Sequence, residues 1–287
     1  MFSLATDAAP GRPNEDFVVA TPDLAIVVDG AGVPMGGCHH GVAWYAQQLG
    51  ARTLSALAGR PDLPLRDGLY EALAAVAASH AATCDLEDPG TPCAAVGILR
   101  IGADTVDTLA LSDVTVMVEN SEGPQITCDL RIEEISGTEP DAVAGLLFNT
   151  PEHKAALSAL VGSQTRTRNR DDGWWVAAAD PEAACHAMVN SYASSDVRRR
   201  AIFSDGATRP VDQMGLYSWP EYLELLDKLG PRGLIAHVRE IESADPDGAS
   251  HPRTKRHDDA TVATWHQRAW SAARQRPSMH ELMWQAT

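Results

Sequence analysis

Short apolar runs separated by polar turns dominate the first third of the chain. Phe17 to Ala20 and Leu24 to Val28 each read as a strand, with Thr-Pro-Asp between them as the turn. The period then changes. Val42, Ala46, Leu49, Leu54 and Leu57 recur at helical spacing and predict a helix from about His40 to Leu57. Leu69, Leu73 and Val76 do the same for a helix from about Leu65 to Thr83. Strands return at Ala94 to Leu99, Thr108 to Leu111 and Val114 to Val118, with a turn at Asn120 to Gly123.

The second half of the pattern is less regular. Residues 131 to 172 mix helical stretches with polar, Gly- and Pro-containing segments and read as a variable insert or flap. Trp174 to Ala179 reads as a strand, and Pro181 to Ser191 as a helix opening at Asp180. Arg200 to Ser204 reads as a strand, followed by helices near Pro220 to Leu229 and Gly233 to Glu242. Ala260 to Trp265 is the last strand, and residues 266 to 287 read as a helical tail. Strands come in two clusters, each interleaved with helix pairs. A doubly wound parallel sheet would alternate strand and helix one by one. Two antiparallel sheets with helices packed outside, in one domain over 1 to 287, suit this order better.

Composition narrows the function. The 287 residues are 44% apolar, without a run long enough to cross a membrane and without a signal-peptide pattern at the N-terminus. Acidic residues outnumber basic ones, 39 to 23, for a net charge of −16. That argues against binding nucleic acid or an anionic membrane surface, and permits a site that gathers cations. The five cysteines are widely spaced and odd in number, which suggests reduced thiols in a cytoplasmic protein.

Carboxylates sit at strand edges. Asp16 precedes one strand, Asp29 ends the next, Asp205 ends Ala201 to Ser204, and Asp258 and Asp259 precede the last; Asp113 lies between two strands. Gathered in one place, these groups would repel strongly without a cation, and hard ions such as Mg²⁺ and Mn²⁺ take such oxygen ligands. The alternative is that each Asp-Gly pair is simply a turn. Glycine after the aspartate, in VVDGAG and FSDG, is expected to relax the local dihedrals so that a backbone carbonyl also faces the ion. Gly30, Gly32 and Gly36 do not match a dinucleotide fingerprint, because Met35 stands where its last glycine would be. Cys38, His39 and His40 raise the question of zinc, but no matching Cys/His pair stands out elsewhere in the sequence.

The order RPNED, VVDGAG, LSDVTV, FSDG and DDATV resembles the PP2C-type (PPM) metal-dependent serine/threonine phosphatases, from Arg12 to about Trp265. The resemblance implies an α+β fold: a four-layer αββα sandwich of two antiparallel sheets flanked by helix pairs. It implies a two-metal Mg²⁺ or Mn²⁺ centre at one end. Asp29 would bridge both ions and Gly30 would offer its carbonyl, while Asp205 and Asp258 complete one shell. Glu15 and Asp16 would hold waters on the other ion, Asp113 would serve a third, weaker one, and Asp259 would support from behind. Phosphoserine or phosphothreonine in a protein substrate would be hydrolysed by a metal-bridged water without a phosphoenzyme. Arg12 is a candidate phosphate clamp or a solvated surface residue, and His39 or His40 a candidate general acid. The LSD element lacks the family's glycine at Ser112. Of the remaining features, Arg166, Arg168 and Arg170 read as a solvated loop or substrate contact, Trp174 and Trp175 as packing, and Arg198 to Arg200 as a charged strand entry. The alternative to catalysis is a silent PP2C-like regulatory module.

Overall fold

The computed structural model describes residues 1–32 and 37–266. Two five-stranded antiparallel sheets are stacked face to face. One contains, in spatial order, β1 (Phe2–Asp7), β10 (Ala260–Trp265), β9 (Arg199–Phe203), β6 (Thr115–Asn120) and β7 (Gly123–Thr127). The other contains β2 (Phe17–Ala20), β3 (Leu24–Ala31), β4 (Cys93–Ile101), β5 (Thr105–Leu111) and β8 (Met188–Ala193). Helices α1 (Val42–Leu57) and α2 (Leu65–His80) cover the second sheet; α6 (Asp205–Asp212) and α7 (Trp219–Ala244) cover the first. This is the expected four-layer sandwich.

The two-residue period of the strands builds the layers. Along β3, Ala25 and Val27 face the opposite sheet, where they meet Val114, Val116, Ile202 and Ala263. Leu24, Ile26 and Val28 face the helices, against Tyr45, Leu49, Leu69 and Leu73. All five are buried, which explains why β3 reads as an unbroken apolar run instead of an alternating one. On the far side Phe203 and Val262 pack against Tyr222, Leu223, Leu226 and Ile235. Helix α7 is broken at Gly230, whose φ of 68° precedes Pro231, so the sequence expectation of two helices holds in substance.

Other elements differ from expectation. Trp174 to Ala179 is not a strand: only isolated bridges, Arg168 to Trp174 and Ala94 to Ala177, form there. The two tryptophans are buried packing residues, as expected. The helix expected over Pro181 to Ser191 is a 3₁₀ turn over Pro181–His186 followed by edge strand β8. The insert is helical: α3 (Arg131–Ser136), α4 (Glu139–Ala144) and α5 (Pro151–Thr167). The tail expected from residue 266 lies, after His266, outside the described residues.

Candidate metal centre

One end of the sandwich gathers the acidic residues. Asp29 lies in the last part of β3, paired with Ala95 of β4, and Gly30 with Ala94. The strand therefore runs through this Asp-Gly pair; it is not a turn. The reason for glycine here is space, not dihedral freedom: a Cβ at Gly30 would overlap the backbone carbonyl oxygen of Glu15. The second pair repeats the device. Asp205 opens α6, and a Cβ at Gly206 would overlap the carbonyl oxygen of Asp259. Each glycine admits the backbone of another acidic segment, so the two Asp-Gly units are pressed against Glu15-Asp16 and Asp258-Asp259.

The carboxylates are close enough to set each other's proton affinity. Burial, then Asp16, Asp205, Asp113 and Asp258 in turn, raise the Asp29 pKa well above the ordinary carboxylate value. Asp205 is raised by burial and Asp258, and hydrogen bonds with Asp29. Burial pushes Asp16 up to about 7, despite a 2.7 Å hydrogen bond from the Thr261 hydroxyl. Burial and Asp205 push Asp113 up to about 6. Buried carboxylates whose ionisation is opposed for want of positive charge suit a hard divalent cation. The donor set fits the Mg²⁺ or Mn²⁺ expected from the sequence.

Asp258 differs from the rest. Burial opposes its ionisation, but Lys255 and Arg209 outweigh that and hold its pKa below the ordinary value. Lys255 Nζ lies 2.9 Å and Arg209 Nη2 2.9 Å from Asp258 Oδ2. Arg209 is buried and also donates to Glu242 at 2.8 Å, so Asp258 is tied to α7 through an internal ion-pair chain. Asp259 is a scaffold. Its two oxygens accept the backbone N–H groups of Ala9 and Glu15, each at 2.7 Å, and so fix the loop that carries Arg12, Glu15 and Asp16. Glu15 has a raised pKa, chiefly from burial, and lies 3.7 Å from the Arg12 guanidinium at the exposed rim.

Ser112 precedes Asp113 with φ of 66°, in the left-handed region where glycine is unstrained. That is where the sequence departs from the family's glycine, and Ser112 Oγ donates to Asp113 Oδ1 at 3.1 Å. Two acidic residues that sequence reasoning missed also approach. Glu133 on α3 and Asp212 on α6 both have raised pKa values, from burial first and then, in part, from Asp205. Glu133 lies in the illegible insert, and only its acidity marked it.

His40 does not join this cluster. Its ring stacks on Trp44 at 4.2 Å, and its Nδ1 lies 3.5 Å from Cys38 Sγ and 3.3 Å from Cys84 Sγ. His39 lies 3.5 Å from Cys84 Sγ. The general-acid expectation for either histidine finds no support in these contacts, because both rings are turned to the thiols. Of the arginines in the insert, Arg168 donates to the Pro89 carbonyl at 2.8 Å, and Arg170 pairs with Asp172 at 3.6 Å. Arg199 pairs with Glu119, and Arg200 is buried with its guanidinium 4.1 Å from the Trp265 ring centroid.

No family model matches this sequence, and no curated protein matches it. Solved structures do. The Mycobacterium tuberculosis serine/threonine phosphatase PstP/Ppp superposes with a TM-score of 0.56 at 16% identity, over 92% of this chain and 97% of that one. The catalytic domain of PstP in complex with two manganese ions gives 0.54 at 16% identity, over 92% and 96%. Serine/threonine phosphatase Stp1 from Staphylococcus aureus gives 0.56 at 14% identity, over 92% and 93%. The fold of this chain is PP2C-like.

Proposed function

We propose that the chain is a metal-dependent phosphatase of phosphoserine and phosphothreonine in proteins. The observation that carries this reading is the convergence of Asp16, Asp29, Asp113, Asp205 and Asp258, from five separate chain segments, on one end of a PP2C-like sandwich. A purely structural domain has no use for buried carboxylates that repel one another. In the proposed centre Asp29, Asp205, Asp258 and the Gly30 carbonyl hold one or both of two divalent ions. Asp16 and Glu15 serve the second, and Asp113 serves a third. When bound, such ions acidify water and neutralise phosphoryl charge. The manganese pair in the PstP complex supports the same stoichiometry here.

The chain's own groups supply the rest. Thr261 donates to Asp16 and orients its carboxylate. Asp259 clamps the loop that presents Arg12, whose planar guanidinium suits bidentate contact with a phosphate at the open rim. Arg209 and Lys255 keep Asp258 ionised. An attacking water needs no protein nucleophile, so the serine or threonine oxygen leaves directly from phosphorus.

Two observations favour the alternative, a silent regulatory module. Asp258 is already paired with two cationic side chains, and neither His39 nor His40 faces the acidic end to protonate a leaving oxygen. Hydrolysis of a phosphothreonine peptide with and without Mn²⁺ separates the two. Catalysis predicts Mn²⁺-dependent turnover that falls at least about 100-fold in Asp29→Asn. Mn²⁺ binding without turnover would establish the silent module.

A further inference from the structure

A second cluster of ligating side chains joins the segment after β3 to the end of α2, and the phosphatase reading does not use it. The segment that follows β3 brings Cys38 and His40; the last turn of α2 and the turn after it bring His80 and Cys84. Cys38 and His80 are buried, Cys84 and His40 half-buried. Cys38 Sγ lies 3.4 Å from Cys84 Sγ and 3.5 Å from both His40 Nδ1 and His80 Nδ1. Cys84 Sγ lies 3.3 Å from His40 Nδ1. All four ligand atoms fall within 4.8 Å of one another, and among the described residues no other group of three or more histidines, cysteines or acids is gathered so tightly.

These separations have a simple meaning. With Zn–S near 2.3 Å and Zn–N near 2.0 Å, a tetrahedral zinc shell has S···S edges of about 3.8 Å and S···N edges of about 3.5 Å. The four edges just given, one S···S and three S···N, are within a few tenths of an ångström of that, and the remaining two are no longer than 4.8 Å. Two thiols and two imidazoles are a soft donor set that selects zinc over Mg²⁺ or Mn²⁺. His80 is buried, and it is the Nδ1 of its ring that meets the Cys38 thiol. The expectation that Cys38 and His40 lack a partner pair is thereby corrected: the pair is His80 and Cys84, an H-x₃-C spacing at a helix end.

We propose that Cys38, His40, His80 and Cys84 form a tetrahedral structural zinc site. It ties the segment leaving the Asp29-Gly30 strand to the end of α2. On binding, the two thiols release two protons, and the doubly charged ion is balanced by two thiolates and two neutral imidazoles. Trp44, stacked on His40 and 5.1 Å from His80 between ring centroids, walls one side. A backbone hydrogen bond from the Asp85 N–H to the Gly37 carbonyl, 2.9 Å, already aligns the two segments that the metal would join. The four protein ligands close the shell, so the ion holds the fold and takes no part in hydrolysis.

The test is metal analysis of the full chain purified under reducing conditions without chelator, in the wild type, Asp29→Asn and Cys84→Ser. Zinc at one per chain in the wild type and in Asp29→Asn, falling to near zero in Cys84→Ser, is the expected result. Asp29→Asn separates this site from zinc scavenged by the acidic end. Cobalt(II) substitution of the wild type gives a readout that does not depend on any variant folding. The expected spectrum has the intense visible bands of a tetrahedral ion and a thiolate charge-transfer band. Three outcomes would overturn the proposal: zinc lost in Asp29→Asn but kept in Cys84→Ser, a weak octahedral cobalt spectrum, or a Cys38–Cys84 disulfide in place of metal. Each of these readouts is independent of phosphatase activity.

Discussion

Raising the pH should weaken this protein when hard cations are absent, and Asp16 provides the scale. Its carboxyl is buried, and its pKa stands at about 7 in the fold against 3.8 in an exposed chain. Between those values the unfolded chain has released the proton while the folded one still holds it. The folded state then binds more protons, and stability falls as pH rises. The interval is about three pH units, each worth about 1.4 kcal/mol, so Asp16 alone removes up to about 4 kcal/mol between about pH 4 and about pH 7. Asp258 has a lowered pKa, and its contribution is lost only as pH falls below the ordinary carboxylate range, outside this window. Binding of Mn²⁺ should restore the difference, by about 2.7 kcal/mol at a hundredfold excess over its Kd. Urea unfolding followed by tryptophan fluorescence, across this pH range with and without Mn²⁺, measures the slope; hard cations are removed by dialysis so that any zinc stays in place. Asp16→Asn should lessen the slope without cation, the other raised carboxyls leaving a remainder. A wild-type stability that is flat or rising from about pH 4 to about pH 7, or an unchanged slope in Asp16→Asn, would refute the reasoning.

Two further substitutions probe how the centre is held. Gly206→Ala forces a methyl against the Asp259 carbonyl and should cost about 1–3 kcal/mol in urea unfolding while weakening Mn²⁺ binding, because the Asp205 and Asp258 segments are pushed apart. An alanine variant of unchanged stability would show that the contact is loose. Lys255→Gln removes an ammonium 2.9 Å from Asp258 and should tighten Mn²⁺ binding up to about fivefold by calorimetry, an effect of about 1 kcal/mol or less. Weaker binding in this variant would mean that Lys255 supports the metal site instead of competing for Asp258.

The interior of the fold was legible and its margins were not. Central strands β3, β4, β6, β9 and β10 are apolar enough to show in the pattern alone. Strands β1, β7 and β8 went unseen at sheet edges, although edge strand β2, apolar throughout, was read: β8 is mostly exposed, and β7 opens with Gly-Pro, which an edge strand tolerates. Trp174 to Ala179 misled for the converse reason, being buried and apolar without a strand to pair with along its length. At the site, the aspartates were readable from their repeated position at strand ends. The role of each glycine was not, since it depends on which backbone lies opposite. Nor could spacing along the chain reveal that His80 and Cys84, 40 or more residues from Cys38 and His40, stand against them.

The order in which sheet strands lie has a consequence for biosynthesis. Strand β1 has one neighbour, β10, whose residues leave the ribosome some 250 positions later; Phe2 pairs with Trp265 and Asp7 with Ala260. Until then the N-terminal strand has nothing to zip against, and β9 is bare on one side. Asp258 and Asp259 arrive with that same closing segment. A nascent chain therefore cannot assemble the carboxylate-rich end early. Competence for the proposed chemistry is delayed until translation has passed residue 265, and truncation before that point leaves an open sheet, not a slightly loosened sandwich.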